Sequence, residues 1–403
     1  MTIACIDCGS LEELSTLAPG STAMCPVCER SFERSRGRSI TAALACSMGT
    51  FLLLFPANLI PLMSVDMLRM HRSARLGAGV IQIWNDGWII LAPLIGAFAV
   101  ILPFVRFGLL SLVLGEVRLG RRPRWLGPAF RWAVWLDVWA MPDVFLVGCF
   151  VGYSRVAASL NVKIEAGGYC FIAAALLSML SRASIDLRSV WRAISEDRPI
   201  TGLEPVLSCT TCDLVMPVTA EGQDCPRCGA TLHVRKPYSL SRTLALVSAA
   251  FILYWPANLF PMSSTLQMGT IQRHRIVDGI SELFAAGFAP LGIIIFCTSI
   301  AIPVLKIFGL AWCAASVLLG SRKYLVAKTR VYRAVDEIGR WSNVDPFTIA
   351  VFVPLMHFGS MVDTHAELGA TAFILVVVLT LLASRSFDPR LMWDVAQTDE
   401  RQA

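Results

Sequence analysis

Phe55-Pro56-Ala57-Asn58-Leu59-Ile60-Pro61 returns later in the chain as Trp255-Pro256-Ala257-Asn258-Leu259-Phe260-Pro261, and Pro103-Phe104-Val105-Arg106 returns as Pro303-Val304-Leu305-Lys306. Further on, Trp139, Asp143 and Phe145 match Trp341, Asp345 and Phe347, and Asp186-Leu187-Arg188 with Trp191 matches Asp388-Pro389-Arg390 with Trp393. So many rare residues, in one order and roughly 200 positions apart, make the chain a tandem repeat, and any fold it adopts is built twice.

Each repeat is too apolar for a soluble domain. Only 16% of the residues are charged and 55% are hydrophobic, with a mean hydropathy of +0.62, against roughly 25% charge in soluble domains. Apolar stretches at approximately 40–63, 88–114, 132–153 and 168–184, then 241–262, 287–319, 335–358 and 368–384, match the ~20 residues that cross a ~30 Å hydrocarbon layer. The net charge of +6 is not a nucleic-acid signal, because most of the Arg and Lys lie beside these stretches. Arg118, Arg121, Arg122, Arg124 and Arg131 follow the second span, and Arg322, Lys323, Lys328, Arg330 and Arg333 follow the sixth. The positive-inside rule puts these loops in the cytoplasm, and an even span count per repeat brings both polar modules and both termini to the same side, as parallel repeats. Arg69, Arg72 and Arg75 fall in a segment this topology places outside, partly balanced by Asp66. The N-terminus lacks the pattern of a cleavable signal peptide.

Each repeat opens with a pair of Cys-x-x-Cys knuckles: Cys5/Cys8 with Cys25/Cys28, and Cys209/Cys212 with Cys225/Cys228. Four thiolates so spaced can hold a tetrahedral Zn²⁺ with Zn–S bonds of about 2.3 Å, the arrangement of a zinc ribbon, and modules this short need a metal in place of a core. Iron in the same cage, or dithiol redox chemistry, uses the same residues. No βαβ pattern of a redox fold accompanies them. Cys46, Cys149, Cys170, Cys297 and Cys313 lie inside apolar stretches and read as small hydrophobes.

The fold class expected is an all-α polytopic membrane protein: a small cytoplasmic four-cysteine zinc ribbon plus a four-helix transmembrane bundle, repeated, with eight spans in total. The divisions are 1–38 (first ribbon), 39–192 (first bundle), 193–238 (second ribbon), 239–394 (second bundle) and 395–403 (cytoplasmic tail). The cofactors are two structural Zn²⁺ ions, one per ribbon.

A charge inside hydrocarbon costs at least ~2.5 kcal/mol on insertion scales and needs a reason. Lys306 and Asp345 reach similar depth from the basic loop between them, which makes them a plausible pair, with Arg106 and Asp143 as first-repeat counterparts. Ser299, two turns before Lys306, Ser342, and Thr380 in the last span add to a polar network that can relay a proton or line a substrate path. Snorkelling of Lys306 and a purely structural ion pair explain the same residues. In the Pro-Ala-Asn-x-x-Pro motifs proline frees helix carbonyls, which Asn58 and Asn258 can satisfy or leave for a substrate. His357 and His365 read as boundary residues, Trp84, Trp88, Trp135 and Trp139 as interface anchors or packing, and Gly148 and Gly152 as a site of close helix approach. There is no phosphate-binding Gly-rich loop, zinc-protease helix or serine-nucleophile elbow, so no enzyme activity is expected.

The two Cys modules, the repeated Pro-Ala-Asn-x-x-Pro motif and the closing Phe387-Asp388-Pro389-Arg390-Leu391-Met392-Trp393-Asp394 resemble the paraquat-inducible protein A (PqiA) family. The resemblance runs from Cys5 to about Asp394. It implies a Gram-negative inner-membrane protein that moves phospholipids or other lipophilic molecules between membranes with a periplasmic MCE-domain tunnel partner, maintaining the envelope barrier. The second-repeat set Ser299, Lys306, Ser342, Asp345 and Thr380 then becomes a place to couple a proton gradient to lipid loading. The first repeat departs from it, with Arg106 for Lys306 and Ala140 for Ser342. A membrane oxidoreductase using the Cys pairs and a passive anchor for the tunnel are the alternatives.

Overall fold

Ser39 sets the boundary between the first polar module and the first span. Its backbone is extended (φ −142°, ψ 125°) and its hydroxyl accepts a hydrogen bond from the Ala42 N–H, satisfying a donor the helix leaves open. In the computed structural model, which describes residues 2–13, 22–34, 39–67, 70–157, 161–195, 205–267, 270–285, 287–355 and 362–397, this cap opens α1 (Ile40–Leu59). The first repeat continues through α2 (Leu76–Asn85), α3 (Leu91–Gly96), α4 (Leu102–Arg118), α5 (Leu126–Trp135), α6 (Pro142–Ala157), α7 (Ala166–Ser184) and α8 (Leu187–Ile194). The second repeats it with α9 (Ser239–Leu259), α10 (Ile276–Ala285), α11 (Ala289–Phe296), α12 (Ile302–Leu318), α13 (Leu325–Ile338), α14 (Val344–Leu355), α15 (Leu368–Ser386) and α16 (Arg390–Gln397).

Among the described residues seven helices are long and apolar enough to cross a membrane: Ile40–Leu59, Leu91–Arg118, Leu126–Ser154, Ala166–Ser184, Ser239–Leu259, Ala289–Leu318 and Leu368–Ser386. The stretch expected as a further span, 335–358, is not among them. Its α13 carries Lys328, Arg330, Arg333, Asp336 and Glu337, the helix tightens into a 3-10 turn at Gly339–Asn343, and α14 is described only to Leu355. His357 lies outside the described residues.

Both repeats interrupt their second apolar helix in the same way. A π turn at Ala97–Ile101 precedes Pro103, and one at Cys297–Ala301 precedes Pro303. There the Leu102 N–H reaches the Ala97 carbonyl and the Ile302 N–H reaches Cys297. Proline cannot donate to the preceding turn, and the wider turn before it takes up the mismatch. A second break follows, a 3-10 turn at Leu136–Val138 in the first repeat and the one at Gly339–Asn343 in the second.

Each repeat also contains strands, which apolar runs alone do not signal. Met63, expected at the end of the first span, instead opens a strand, because α1 stops at Leu59 before Pro61. With β1 to β4 (Thr2–Ala4, Leu11–Glu13, Thr22–Met24, Ser31–Arg34) in the first Cys module, the next strands are β5 (Met63–Met67), β6 (Met70–Ala74) and β7 (Asn161–Ile164). They form an antiparallel sheet in the order β6-β5-β7. After β8 (Val206–Ser208) and β9 (Val215–Pro217) in the second module, β10 (Ser263–Gln267), β11 (Thr270–His274) and β12 (Val362–Ala366) build the matching sheet β11-β10-β12. Arg72 is thus on a strand and Arg75 caps α2, while Arg69 lies outside the described residues; His365 is exposed on β12. A 20-residue α1 spans about 30 Å, so these sheets lie at the opposite end of the bundle from the Cys modules.

The Pro-Ala-Asn-x-x-Pro motifs serve this exit. Gly167 N–H bonds the Pro61 carbonyl and Gly369 N–H the Pro261 carbonyl, both at 3.1 Å, and a β-carbon at 167 would meet the Ile60 oxygen at 2.4 Å. Only glycine lets the returning helix come so close. Asn58 and Asn258 fold back onto the carbonyls four residues earlier, Leu54 and Tyr254, at 2.7 and 2.8 Å. That is two positions beyond the carbonyls that proline frees.

The repeats meet along α6 and α14, which run side by side with like positions facing. Asn343 Nδ2 bonds the sulfur of its counterpart Met141 at 3.3 Å, and Thr348 Oγ1 donates to the Gly148 carbonyl at 3.3 Å. The expected close approach is here: a β-carbon at Gly148 would lie 2.8 Å from Phe347 Cβ.

Candidate functional site

Two four-cysteine cages stand at one end. In each knuckle the residue after the second cysteine is left-handed, Gly9 (φ +79°), Glu29 (59°), Asp213 (56°) and Gly229 (66°), and its N–H returns to the first cysteine's carbonyl. This turn aims both thiols of a pair inward. Sulfur separations are 3.4 Å for Cys5–Cys28, and 3.6 Å for Cys8–Cys25, Cys209–Cys228 and Cys212–Cys225. A tetrahedron with 2.3 Å metal–sulfur bonds has edges of about 3.8 Å, so both all-thiol sets fit a zinc-sized ion. Thiols in both cages are held below their usual range: Cys5 by hydrogen bonds from Cys28 and Cys8, Cys209 by those from Cys212 and Cys228, and Cys225 by those from Cys209, Cys212 and Cys228.

Each cage docks on the other repeat. Arg333 of α13 reaches the first cage, bonding Asp7 Oδ2 at 2.6 Å and the Cys28 carbonyl and sulfur at 3.0 and 3.1 Å, and Arg330 pairs with Glu29. Its counterpart Arg131 of α5 bonds the Gly229 carbonyl of the second cage. There α5 begins so close to the knuckle that a β-carbon at Gly127 would sit 1.8 Å from the Arg227 oxygen. Arg188 joins the two modules, over the Phe32 ring at 5.3 Å and 3.6 Å from Asp213.

The 3-10 turns carry the intramembrane charges. In the second repeat Lys306, 1% exposed, donates to the Gly339 carbonyl at 3.2 Å, and Ser342 Oγ donates to the same oxygen at 2.8 Å. The Lys306 hydrogen bond therefore goes to this turn, not to Asp345. Asp345 sits in the first turn of α14, where the helix dipole favours a carboxylate. Ser299 is buried on the π turn, 3.4 Å from Thr298 Oγ1, and Thr380 Oγ1 donates to the Val377 carbonyl at 2.9 Å. Both segments pack against the Gly339 turn. Gly339 was not singled out from sequence. A β-carbon there would lie 3.1 Å from Lys306 Cε, so glycine makes room for the lysine.

The first repeat pairs differently from the expected Arg106–Asp143. Arg106 pairs with Asp137, which occupies the position of Gly339, and Asp143 pairs with Arg182 at 2.9 Å and with Arg340 of the other repeat at 3.6 Å. Arg182 also bonds Asp137 Oδ1 at 2.9 Å and the Asp137 and Ala140 carbonyls. The carboxylate on the turn captures the arginine that would otherwise reach Asp143. Asp137 and Arg182 both lie inside predicted spans, and the intramembrane-charge rule would have found them.

The family model for paraquat-inducible protein A matches the chain twice, at residues 40–195 and 240–397, one match per repeat. The chain belongs to the paraquat-inducible protein A family. It is 27% identical to the intermembrane transport protein PqiA of Escherichia coli strain K12 over 409 residues, covering 99% of this chain and 97% of that protein. Similarity to the lipophilic envelope-spanning tunnel protein A of the same strain is 28% over 396 residues, covering 98% and 91%. A probable intermembrane transport protein of Haemophilus influenzae is 25% identical over 403 residues, covering 98% and 96%. No solved structure matches the chain. These relatives are named as intermembrane transport or envelope-spanning tunnel proteins, not enzymes, and the seven membrane-length helices among the described residues make this chain a multi-pass membrane protein.

Proposed function

We propose that the protein is the inner-membrane component of an intermembrane lipid transport system, loading or receiving phospholipid or other lipophilic molecules for a periplasmic MCE-domain tunnel protein, with proton coupling through the second-repeat polar network. The observation that carries the coupling is the difference between repeats at one position. Arg106 faces a carboxylate, Asp137, whereas Lys306 hydrogen-bonds a neutral carbonyl, that of Gly339. A buried lysine held this way can take up and release a proton without breaking an ion pair, and Arg106 cannot. Ser342, Ser299, Asp345 and Thr380 supply the polar groups around it. The relatives' names support the cargo class and the tunnel partner.

In this reading the divisions 1–38, 39–192, 193–238, 239–394 and 395–403 are ribbon, bundle, ribbon, bundle and tail, and α13, its turn and α14 form the eighth span. Both cages hold Zn²⁺ in the cytoplasm, supported by their docking on α13, which carries Lys328, Arg330 and Arg333, and on α5, which follows the basic segment with Arg118, Arg121, Arg122 and Arg124. Four mutually close thiols favour this over the membrane oxidoreductase, which needs a dithiol free to exchange. The test is transfer of a fluorescent phospholipid from vesicles holding the full chain with its tunnel partner, with and without a pH gradient. Lys306→Ala and Lys306→Gln are expected to reduce transfer to background while metal content and yield stay normal. Unchanged transfer in both variants, or transfer indifferent to the gradient, would sink the coupling and leave the passive anchor.

A further inference from the structure

The first-repeat cluster has more hydrogen-bond donors than the protein uses. Arg106, with a side chain 5% exposed, gives one arm to Asp137 and lays its guanidinium over the Phe107 ring, but among the described residues its Nε and Nη1 find no acceptor. The Nε of Arg340 is likewise buried without an acceptor among the described residues, although that side chain already reaches Asp143. On the opposite side of the balance, Asp143 Oδ1 is the one cluster oxygen left without a donor among the described residues. Guanidinium groups deprived of water and acceptors are costly, so a cluster that keeps them open is built to meet an anion.

Charge and access narrow the anion. Arg106, Arg182 and Arg340 against Asp137 and Asp143 leave one positive charge in excess, which a singly charged phosphodiester neutralises. The cluster is not sealed: the Asp137 side chain is 37% exposed and that of Arg340 20%. Trp132 and Trp135 stand exposed five and two residues before Asp137, with their rings 5.5 Å apart, and Trp135 continues into Trp139 and Phe98. Asp137 lies six residues beyond Arg131, about 9 Å along the helix from the side chain that touches the second cage. An apolar aromatic approach that ends on open arginine donors suits a molecule with an apolar tail and a phosphate head.

We infer that Arg106, Arg182 and Arg340 form a binding site for a phosphodiester, the headgroup phosphate of an anionic phospholipid. The inference rests on the lipid-transport reading and adds a headgroup site in the repeat that lacks the lysine. Two of its arginines come from one repeat and the third from the other, so occupancy would bear on how the repeats sit together.

The test uses the full chain in detergent and short-chain dihexanoyl phosphatidylglycerol as probe, read by tryptophan fluorescence, with inorganic phosphate as a second ligand. Expected are saturable lipid binding, competition by phosphate, and weakening of about tenfold or more in Arg106→Gln and Arg340→Gln, the scale of charged hydrogen bonds. Arg106→Gln leaves Asp137 paired with Arg182, and should it still fail to fold by elution and metal content, Arg340→Gln carries the test alone. Binding within twofold of the parent in the folded variants would overturn the site. Phosphate binding that the lipid cannot displace would assign the cluster to free phosphate and overturn the headgroup. Lipid transfer measured in parallel separates the two readings: variants that transfer normally and bind normally refute this site only, whereas a parent that binds lipid but never transfers it refutes the transport reading only.

Discussion

Phe145 and Phe347 hold the same place in the two repeats, and their rings lie 5.1 Å apart. Like residues meet like residues only on a symmetry axis. Here that axis runs along α6 and α14, from the Met141–Asn343 contact to the Gly148–Thr348 hydrogen bond. Helices related this way point in the same direction, which is what parallel duplication requires and inverted duplication forbids. The Asp143–Arg340 pair sits beside this seam, so the first-repeat charge cluster is shared between the repeats, while Lys306 and its turn belong to the second alone.

The seam can be probed by size. A β-carbon at Gly148 would press on Phe347 Cβ at 2.8 Å and on the Val344 oxygen at 3.1 Å, whereas one at Gly152 would meet Val351 at an ordinary 3.6 Å. Gly148→Leu is expected to destabilise by about 1 to 3 kcal/mol, the scale of overpacking, with Gly152→Ala near neutral. Thermal unfolding followed by size-exclusion elution measures both. Equal behaviour of the two variants would mean that the repeats do not close on each other at Gly148.

Crossed docking of the cages predicts which metal each repeat protects. Gly127→Val, in the first bundle, would push α5 off the Arg227 carbonyl, and Arg333→Ala, in the second, would remove the bonds to Asp7 and Cys28. The first variant is expected to release metal from Cys209, Cys212, Cys225 and Cys228 about tenfold faster to a chelator, and the second from Cys5, Cys8, Cys25 and Cys28, on the scale of one or two charged hydrogen bonds. Variants retaining only one cage, made by Cys→Ser in the other, assign the fast phase. Release of the same metal in both cases would contradict crossed docking.

What the sequence disclosed and what it hid divide by range. The cages and most spans rest on short spacings that chemistry reads directly, and the repeat on rare residues recurring in one order roughly 200 positions apart. Partnerships did not follow, because Lys306 and Gly339, or Asp143 and Arg340, meet only through packing of distant segments. Aligning the repeats rightly matched Arg106 with Lys306 and Asp143 with Asp345, but it does not give their partners, and it passes over Asp137, whose counterpart Gly339 has no side chain to compare. The strand Met63–Met67 was absorbed into the preceding span because Leu59 to Met63 stays apolar through the helix end. The sequence left Asn58 and Asn258 between capping freed carbonyls and facing a substrate, and their Nδ2 atoms bond the Leu54 and Tyr254 carbonyls, which proline does not free.

Asp388 links the last span to the second Cys module and sets a pH dependence. Its carboxylate accepts from Arg390 at 2.9 and 2.8 Å and from the Lys236 N–H at 3.1 Å. Burial pushes the acid upward, but the Arg390 guanidinium and the Lys236 amide outweigh it and hold Asp388 below the ordinary carboxylate range. An acid depressed in the folded state contributes stability that is complete above its unfolded value of about 3.9 and fades as the pH falls through the folded one. Asp388→Asn is therefore expected to cost about 3 kcal/mol near neutrality, the scale of a broken buried pair, with the gap closing below about pH 4. Cysteine protonation is common to both chains and cancels in the difference. Melting temperatures of parent and variant across pH check this, and a gap that persists at low pH would trace the loss to packing.

Lys306 bonds a carbonyl in place of a carboxylate. Gly339 lies against its stem, where a β-carbon would approach Lys306 Cε to 3.1 Å and Cδ to 3.4 Å, and its carbonyl takes the Lys306 and Ser342 hydrogen bonds together. Gly339→Ala leaves every charge in place and moves only the ammonium, so it separates the position of Lys306 from its presence. At this spacing the stem must shift by a few tenths of an ångström, a cost of about 1 kcal/mol that the fold tolerates. Transfer of phospholipid in Gly339→Ala is expected to fall by about tenfold while the melting temperature drops by only a few degrees. Gly339→Asp goes further and installs the acid of the first repeat. An ion pair between Lys306 and the introduced carboxylate would fix the proton on the lysine, and transfer should lose its response to a pH gradient. A Gly339→Asp protein that is folded, loaded with metal and still gradient-driven would show that a neutral acceptor for Lys306 is not what distinguishes the second repeat.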